Sequence, residues 1–337
     1  MAEQRETWLD LTMEEPIEPE LPICDPHHHF WDRPDDRYLL EDLVKDISSG
    51  HRVVQTVFIE CHSVYRQDGP PEMRPVGETE FVQGIAARNA AGQYGPTNVA
   101  AGIVSYADLS LGAAVAPVLE AHTEAGKGRF RGIRHATSWD ASPEVNPGRG
   151  TPPGLLLDSK FREGIACLQQ SRLSYDALVF HPQLAELADL AKAFPDLTII
   201  LNHVGRPLGI GPYSGRREEI LTQWKGGIDA VAECPNVVVK VGGLGNTISG
   251  FDWHQRNIPP TSIELARTAA PYYLYCIEKF GADRCMFESN FPVDKHSYSY
   301  NVVWNAFKRL SMDLSEGERS ALFHDTAVKA YRLSDNQ

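Results

Sequence analysis

Short apolar runs rich in Val and Ile recur along the chain, separated by stretches in which apolar residues return every three or four positions. The first pattern suits buried strands and the second suits helices with one apolar face, so together they predict repeated βα units around a parallel sheet. Eight such runs occur, at residues 21–30 and beginning near 53, 98, 130, 173, 197, 236 and 284. Eight strands with helices between them close most simply into a (β/α)8 TIM barrel. Helical spacing covers residues 76–91, 111–125, 161–170, 183–193, 216–232 and 262–280, each after a strand. Two further helices, 300–310 and 315–333, follow the last strand and either close the barrel or cover one end. The chain thus divides into an N-terminal arm, residues 1–20, and a single barrel domain, residues 21–333. The arm is expected to pack on a neighbouring subunit or to fray.

Three long loops rich in Gly, Pro and polar residues, 63–75, 139–153 and 242–260, all follow strands. In a barrel the loops after strands form the catalytic face, which makes these three candidate lids and substrate walls.

The densest chemistry is the run Asp25-Pro26-His27-His28-His29-Phe30-Trp31-Asp32 at the end of the first strand. Side chains alternate along a strand, so His27 and His29 share one face and His28 takes the other. Two imidazoles on one face can share a divalent metal. His181 and His203 end the fifth and sixth apolar runs, and a barrel brings such strand ends to one mouth. Arg131, Arg134, His135, Arg206 and Lys240 add donors near it. Alternation puts Arg131 and His135 on one face of the fourth strand and Arg134 on the other, so only one set points inward. Trp31 and the loop residues Trp253, His254 and Arg256 suit a flat, acidic small molecule by stacking and ion pairing.

Composition narrows the partners. With 32 basic against 45 acidic residues the formal charge is −13, which opposes broad binding to nucleic acid or to an anionic membrane. No apolar run reaches the roughly 18 residues that a membrane helix needs, and the acidic start has no apolar signal core, so a cytoplasmic protein is expected. Six cysteines without CxxC spacing suit reduced structural thiols.

Five motifs together resemble the amidohydrolase superfamily, specifically the amidohydrolase 2 branch that includes sugar-lactone and pyrone-dicarboxylate lactonases. They are DPHHHFWD at 25–32, GIRH at 132–135, LNHVGRP at 201–207, VVVKVGGLG at 237–245 and FESNFPVDK at 287–295, and the resemblance spans about 21–333. It implies that His27, His29, His181 and His203 ligate a metal or polarise the substrate, and that Arg134 clamps an anion. Relatives carry an aspartate on the eighth strand, in SDWP or SDFP, where this chain has Asn290. An amide ligates metal poorly and cannot act as a base. A divalent metal, zinc or manganese, is therefore expected to be weakly held or absent, and the catalytic set becomes Asp294 or Glu288 as base, with Asn290 and His181. Substrate contacts fall to Arg134, Arg206, Lys240, Trp31, Trp253, His254 and Arg256. The implied reaction is opening of a lactone of a small carboxylated or polyhydroxylated acid, of the carboxylic-ester hydrolase type (EC 3.1.1). The alternatives are nonoxidative decarboxylation or hydration of an unsaturated or aromatic acid, and a barrel that binds a small ligand without catalysis. Barrels of this kind commonly form homo-oligomers.

Overall fold

A computed structural model describes residues 2–34, 36–145 and 150–334. Eight parallel strands run in chain order around one sheet: β1 Ile23–His28, β2 Val53–Ile59, β3 Asn98–Ser105, β4 Phe130–Ile133, β5 Ser174–Ala177, β6 Ile199–Leu201, β7 Val237–Val241 and β8 Cys285–Phe287. Each pairs with its successor. The last seam is made past the end of β8, where His28 bridges to Phe291 and the His29 amide donates to the Phe291 carbonyl at 2.9 Å. Asp25 tightens the same seam by accepting from the Ser289 hydroxyl at 2.6 Å and its amide at 3.1 Å. The sheet is therefore a nearly closed (β/α)8 barrel. Strands β2, β3, β6 and β7 are rich in Val and Ile because helices cover the outer face while side chains fill the inner one. At Gly132 a Cβ would lie 2.1 Å from Ser174 Oγ, so the β4–β5 approach requires glycine.

The helices mostly lie where the periodicity puts them, among them α3 Val76–Arg88, α5 Ser159–Gln170, α6 Leu184–Ala193, α7 Arg217–Ala232 and α8 Ser262–Phe280. Two differ from expectation for local reasons. The segment expected as 111–125 begins as a 3-10 turn, Leu109–Val115, and turns regular only at α4 Ala116–Ala125, because Gly112 sits at φ 60° and interrupts the ladder. The segment 315–333 is two short helices, Glu316–Ser320 and Thr326–Ala330, joined by a π turn at Ala321–Asp325. The extra residue per turn keeps Leu322 and Phe323 buried while Thr326 reaches the Ala282 carbonyl.

Two elements were not among those expected: a small ribbon, Trp31–Arg33 with Asp36–Tyr38, too short to show a period, and the helix α2 Leu40–Ile47, whose buried Leu40, Leu43 and Ile47 do follow helical spacing. The arm's helix α1 Ala2–Leu9 lies on this chain's own barrel, with Glu6 2.7 Å from Lys295 and Trp8 donating to the Arg256 carbonyl. The cysteines form no disulfide, and all but Cys61 are buried. Among the described residues no helix is long and apolar enough to cross a membrane.

Candidate active site

The mouth of the barrel opens into a cavity of about 690 Å3, a size suited to a small molecule. His29, Trp31, Glu60, Arg134, Arg206 and Asn290 are among its lining residues. Of the loop 139–153, residues 150–152 reach the cavity, while 146–149 lie outside the described residues.

Beside the cavity three strand ends converge on one carboxylate. Glu288 Oε1 accepts from His203 Nδ1 at 2.7 Å and from the His203 amide at 3.1 Å, while Oε2 lies 2.7 Å from His27 Nδ1. The His27 and His203 rings are 4.6 Å apart. All three groups are buried. Burial holds both imidazoles well below their ordinary pKa, helped at His27 by the Lys240 ammonium and at His203 by Arg206. Burial also raises the Glu288 carboxyl to about 7, against the opposing pull of Lys240. The backbone makes this meeting possible: His203 and Val204 sit at φ 53° and 48°, a left-handed turn that stops β6 and swings the His203 amide and ring toward Glu288. Such conformations cost about 1–3 kcal/mol for residues with a Cβ and persist only where surrounding structure enforces them.

A layer of buried charge supports the histidines. Lys240 Nζ lies 3.2 Å from His27 Nδ1 and donates to Asp176 Oδ1 at 2.9 Å. Asp176 also accepts from Asn202 and Tyr331. Arg134 Nη1 is 3.3 Å from His27 Nε2, its Nε donates to Glu60 Oε1 at 2.7 Å, and its Nη2 donates to the Glu60 carbonyl. Arg134 thus points inward, and so does His135, which also lines the cavity: β4 ends at Ile133, so strand alternation does not govern the two residues beyond it. Arg131, half-buried, points away and donates to the Gly128 carbonyl.

The structure separates the remaining candidates. His29 lines the cavity, its Nδ1 bonded to the Ile59 carbonyl at 2.8 Å and its ring 4.9 Å from His27. His28 turns outward onto the Thr56 hydroxyl. His181 does not join the histidine pair. The strand that the apolar run extends to His181 ends at Ala177, and His181 opens a 3-10 turn where its Nδ1 accepts from the Leu208 amide at 3.3 Å. Asn290 lines the mouth, at φ 56°, with Nδ2 donating to Asp294 Oδ1 at 2.7 Å and Oδ1 without a partner. Asp294 itself sits behind it, accepting also from the Gly245 amide and the Tyr298 hydroxyl, with its carboxyl raised by burial to about 7. Its position is that of a support for Asn290 rather than a base facing the cavity. Lys240 is likewise behind the site, sealed from solvent. Trp253, His254 and Arg256 lie outside the cavity lining: Trp253 stacks on Phe251, His254 meets Gln255, and Arg256 pairs with Glu264. Glu60 and Asp176 were not among the sequence candidates. A carboxylate closing the run VVQTVFIE was the available signal for Glu60; Asp176 inside a short strand left none.

His27, His203 and Glu288 each offer one ligand atom within 4.8 Å of the others. Two imidazoles and a carboxylate, with His203 Nε2 buried and unpartnered, fit a zinc-type ion in donor type and number. The Lys240 and Arg134 cations beside His27 act against a tight hold.

The fold and the site define a (β/α)8 barrel protein whose mouth gathers histidines, a buried carboxylate and arginines. The chain belongs to the amidohydrolase family, whose model, described as Amidohydrolase, matches residues 24–333. It is 33% identical to the uncharacterized protein y4mH of Sinorhizobium fredii, over 93% of this chain and 99% of that one. It is 29% identical to an L-fucono-1,5-lactonase of Burkholderia multivorans, covering 70% of this chain and 72% of the relative. A solved amidohydrolase from Burkholderia multivorans with bound zinc superposes with a TM-score of 0.70 at 25% identity, covering 93% and 99% of the two chains.

Proposed function

We propose that the protein opens lactones of polyhydroxylated, sugar-type acids with water. The observation that carries this reading is the Glu288 carboxylate, buried between the Nδ1 atoms of His27 and His203 beside a cavity of small-molecule size. Ester hydrolysis needs a base for water, a counter-charge for the oxyanion and restricted access for solvent. Glu288 accepts the His203 Nδ1 proton, which leaves the lone pair on Nε2, and burial keeps the ring neutral; His203 is then the base. Arg206, which lines the cavity, faces the developing negative charge. Lys240 and Arg134 position His27 from two sides. If His27, His203 and Glu288 instead held a divalent ion, the ion would polarise the carbonyl and His203 would serve as a ligand rather than as the base. Kinship with an L-fucono-1,5-lactonase supports the reaction class. Pairing of Arg134 with Glu60 supports a hydroxylated substrate over a strongly acidic one, because that guanidinium is already neutralised.

The test is ring opening followed by proton release, on a panel of five- and six-membered sugar lactones and pyrone carboxylates. Turnover of the sugar lactones, reduced roughly 100-fold or more in kcat by His203→Asn, is expected for loss of a general base. A panel left unopened, or carbon dioxide release from an aromatic acid in its place, defeats the reading.

A further inference from the structure

One wall of the cavity carries Glu60, His62, Tyr106 and His135, none of which has a role in the chemistry above beyond Glu60's hold on Arg134. The two Glu60 oxygens differ. Oε1 takes the Arg134 Nε proton at 2.7 Å, while Oε2 is buried and has no hydrogen-bond partner. A buried carboxylate oxygen without a donor is a costly arrangement in a folded protein and invites one from a ligand. His62 Nε2 lies 3.5 Å from that oxygen, and its Nδ1 is 2.9 Å from the Tyr65 hydroxyl. Burial raises the Tyr65 phenol, so it stays protonated and can donate to Nδ1; the His62 proton then sits on Nε2, the tautomer that the nearby carboxylate also favours. His135 is fixed in the same sense. The Leu109 amide donates to its Nδ1 at 3.1 Å, which leaves the proton on Nε2. The Tyr106 ring lies between the two, 5.4 Å from His62 and 5.1 Å from His135.

This wall therefore presents one strong acceptor, two N–H donors and an aromatic face. A ring hydroxyl can both donate and accept, and so satisfies such a mixed set, whereas a carboxylate only accepts and leaves Glu60 Oε2 without a donor. Resting on the lactonase reading, we propose that Glu60, with His62 and His135, reads the ring hydroxyls of the substrate across Tyr106. The protein then selects neutral polyhydroxylated lactones over bare and carboxylated ones.

The experiment compares kcat/KM for a hydroxylated six-membered aldonolactone with that for δ-valerolactone, the same ring without hydroxyls, in the wild type, Glu60→Gln and His62→Ala. The Glu60→Gln amide keeps an oxygen for Arg134 Nε, and the His62 side chain is largely exposed, so at least the second variant folds. A wild-type preference of roughly 100-fold for the hydroxylated ring is expected. It should fall at least about 10-fold in Glu60→Gln and several-fold in His62→Ala, as loss of hydrogen bonds to charged and neutral partners predicts. Equal losses on both lactones in Glu60→Gln, with His62→Ala unchanged, overturn the proposal and leave Glu60 as a support for Arg134. Faster opening of a pyrone carboxylate than of the aldonolactone overturns it while lactone hydrolysis stands. If no lactone is opened, the reading beneath it fails as well.

Discussion

At Gly243 a methyl group would lie 2.4 Å from His203 Nδ1, the atom that meets Glu288, and the residue sits at φ 79°. Both the room and the backbone angle require glycine there. Gly243→Ala is expected to lower kcat at least about 10-fold by displacing the ring, and to lower the melting temperature; steady-state kinetics and thermal denaturation check the two effects. Arg134 makes a more exacting demand. Its guanidinium spans Glu60 and His27, a span that the single ammonium of lysine cannot copy. Arg134→Lys should therefore cost roughly 100-fold in kcat/KM, and an unchanged rate would remove Arg134 from the site. If His27, His203 and Glu288 bind zinc, elemental analysis should show less zinc in His27→Asn than in the wild type, because one of three ligands is lost.

The element that depends most on tertiary context is α1. Its Glu6 pairs with Lys295, which also reaches Asp46 of α2 at 2.8 Å, and its Arg5 Nη1 is 3.0 Å from His296 Nε2. These contacts tie the arm to the segment just after Asn290 and Asp294. Removal of residues 2–9 is expected to lower the melting temperature by several degrees and to reduce kcat a few-fold, since Asn290 rests on Asp294 within that segment. Calorimetry and turnover of the truncated chain decide it. Most other elements were legible from the chain alone. Strands buried on both faces, such as Val237–Val241, advertise themselves as apolar runs, and α5 and α7 show their buried faces in their spacing. The α1 helix has no apolar periodicity to read, because its hold is by ion pairs, the hydrogen bonds of Arg5 and Trp8, and one buried apolar residue, Leu9.

Across the whole molecule, buried ionisable groups set the response to pH. Burial raises Glu78 to about 8, with Glu60 adding repulsion, and raises Asp294 to about 7 and Asp25 to about 6. A carboxyl with a raised folded pKa binds its proton more tightly in the native state, so its contribution is full below the unfolded carboxylate pKa and is lost as pH rises through about 6–8. Buried histidines act in the opposite sense. His28 is lowered to about 3 and His122 and His181 to about 4, so the native state resists protonation and stability falls as pH drops below the ordinary histidine value. The urea midpoint is expected to peak near about pH 6 and decline on either side, and Glu78→Gln should flatten the alkaline limb. An unaltered limb would mean that Glu78 is not protonated in the native protein at neutral pH.

What the sequence determined by itself was the barrel and part of the site's inventory, with His27, His29, His203, Arg134, Arg206 and Asn290 in it and Glu60 and Asp176 not. Periodic burial is a local property, and histidines and arginines at strand ends must meet once eight strands close. Which of them meet was decided by backbone departures that alternation does not encode. The end of β5 at Ala177 carries His181 away, and the left-handed turn at His203 and Val204 brings His203 onto Glu288. The partners of buried charge were likewise settled only in three dimensions. Glu60 with Arg134 and Asp176 with Lys240 are 74 and 64 residues apart in sequence, and each pair persists because an unpaired charge in that interior would be costly.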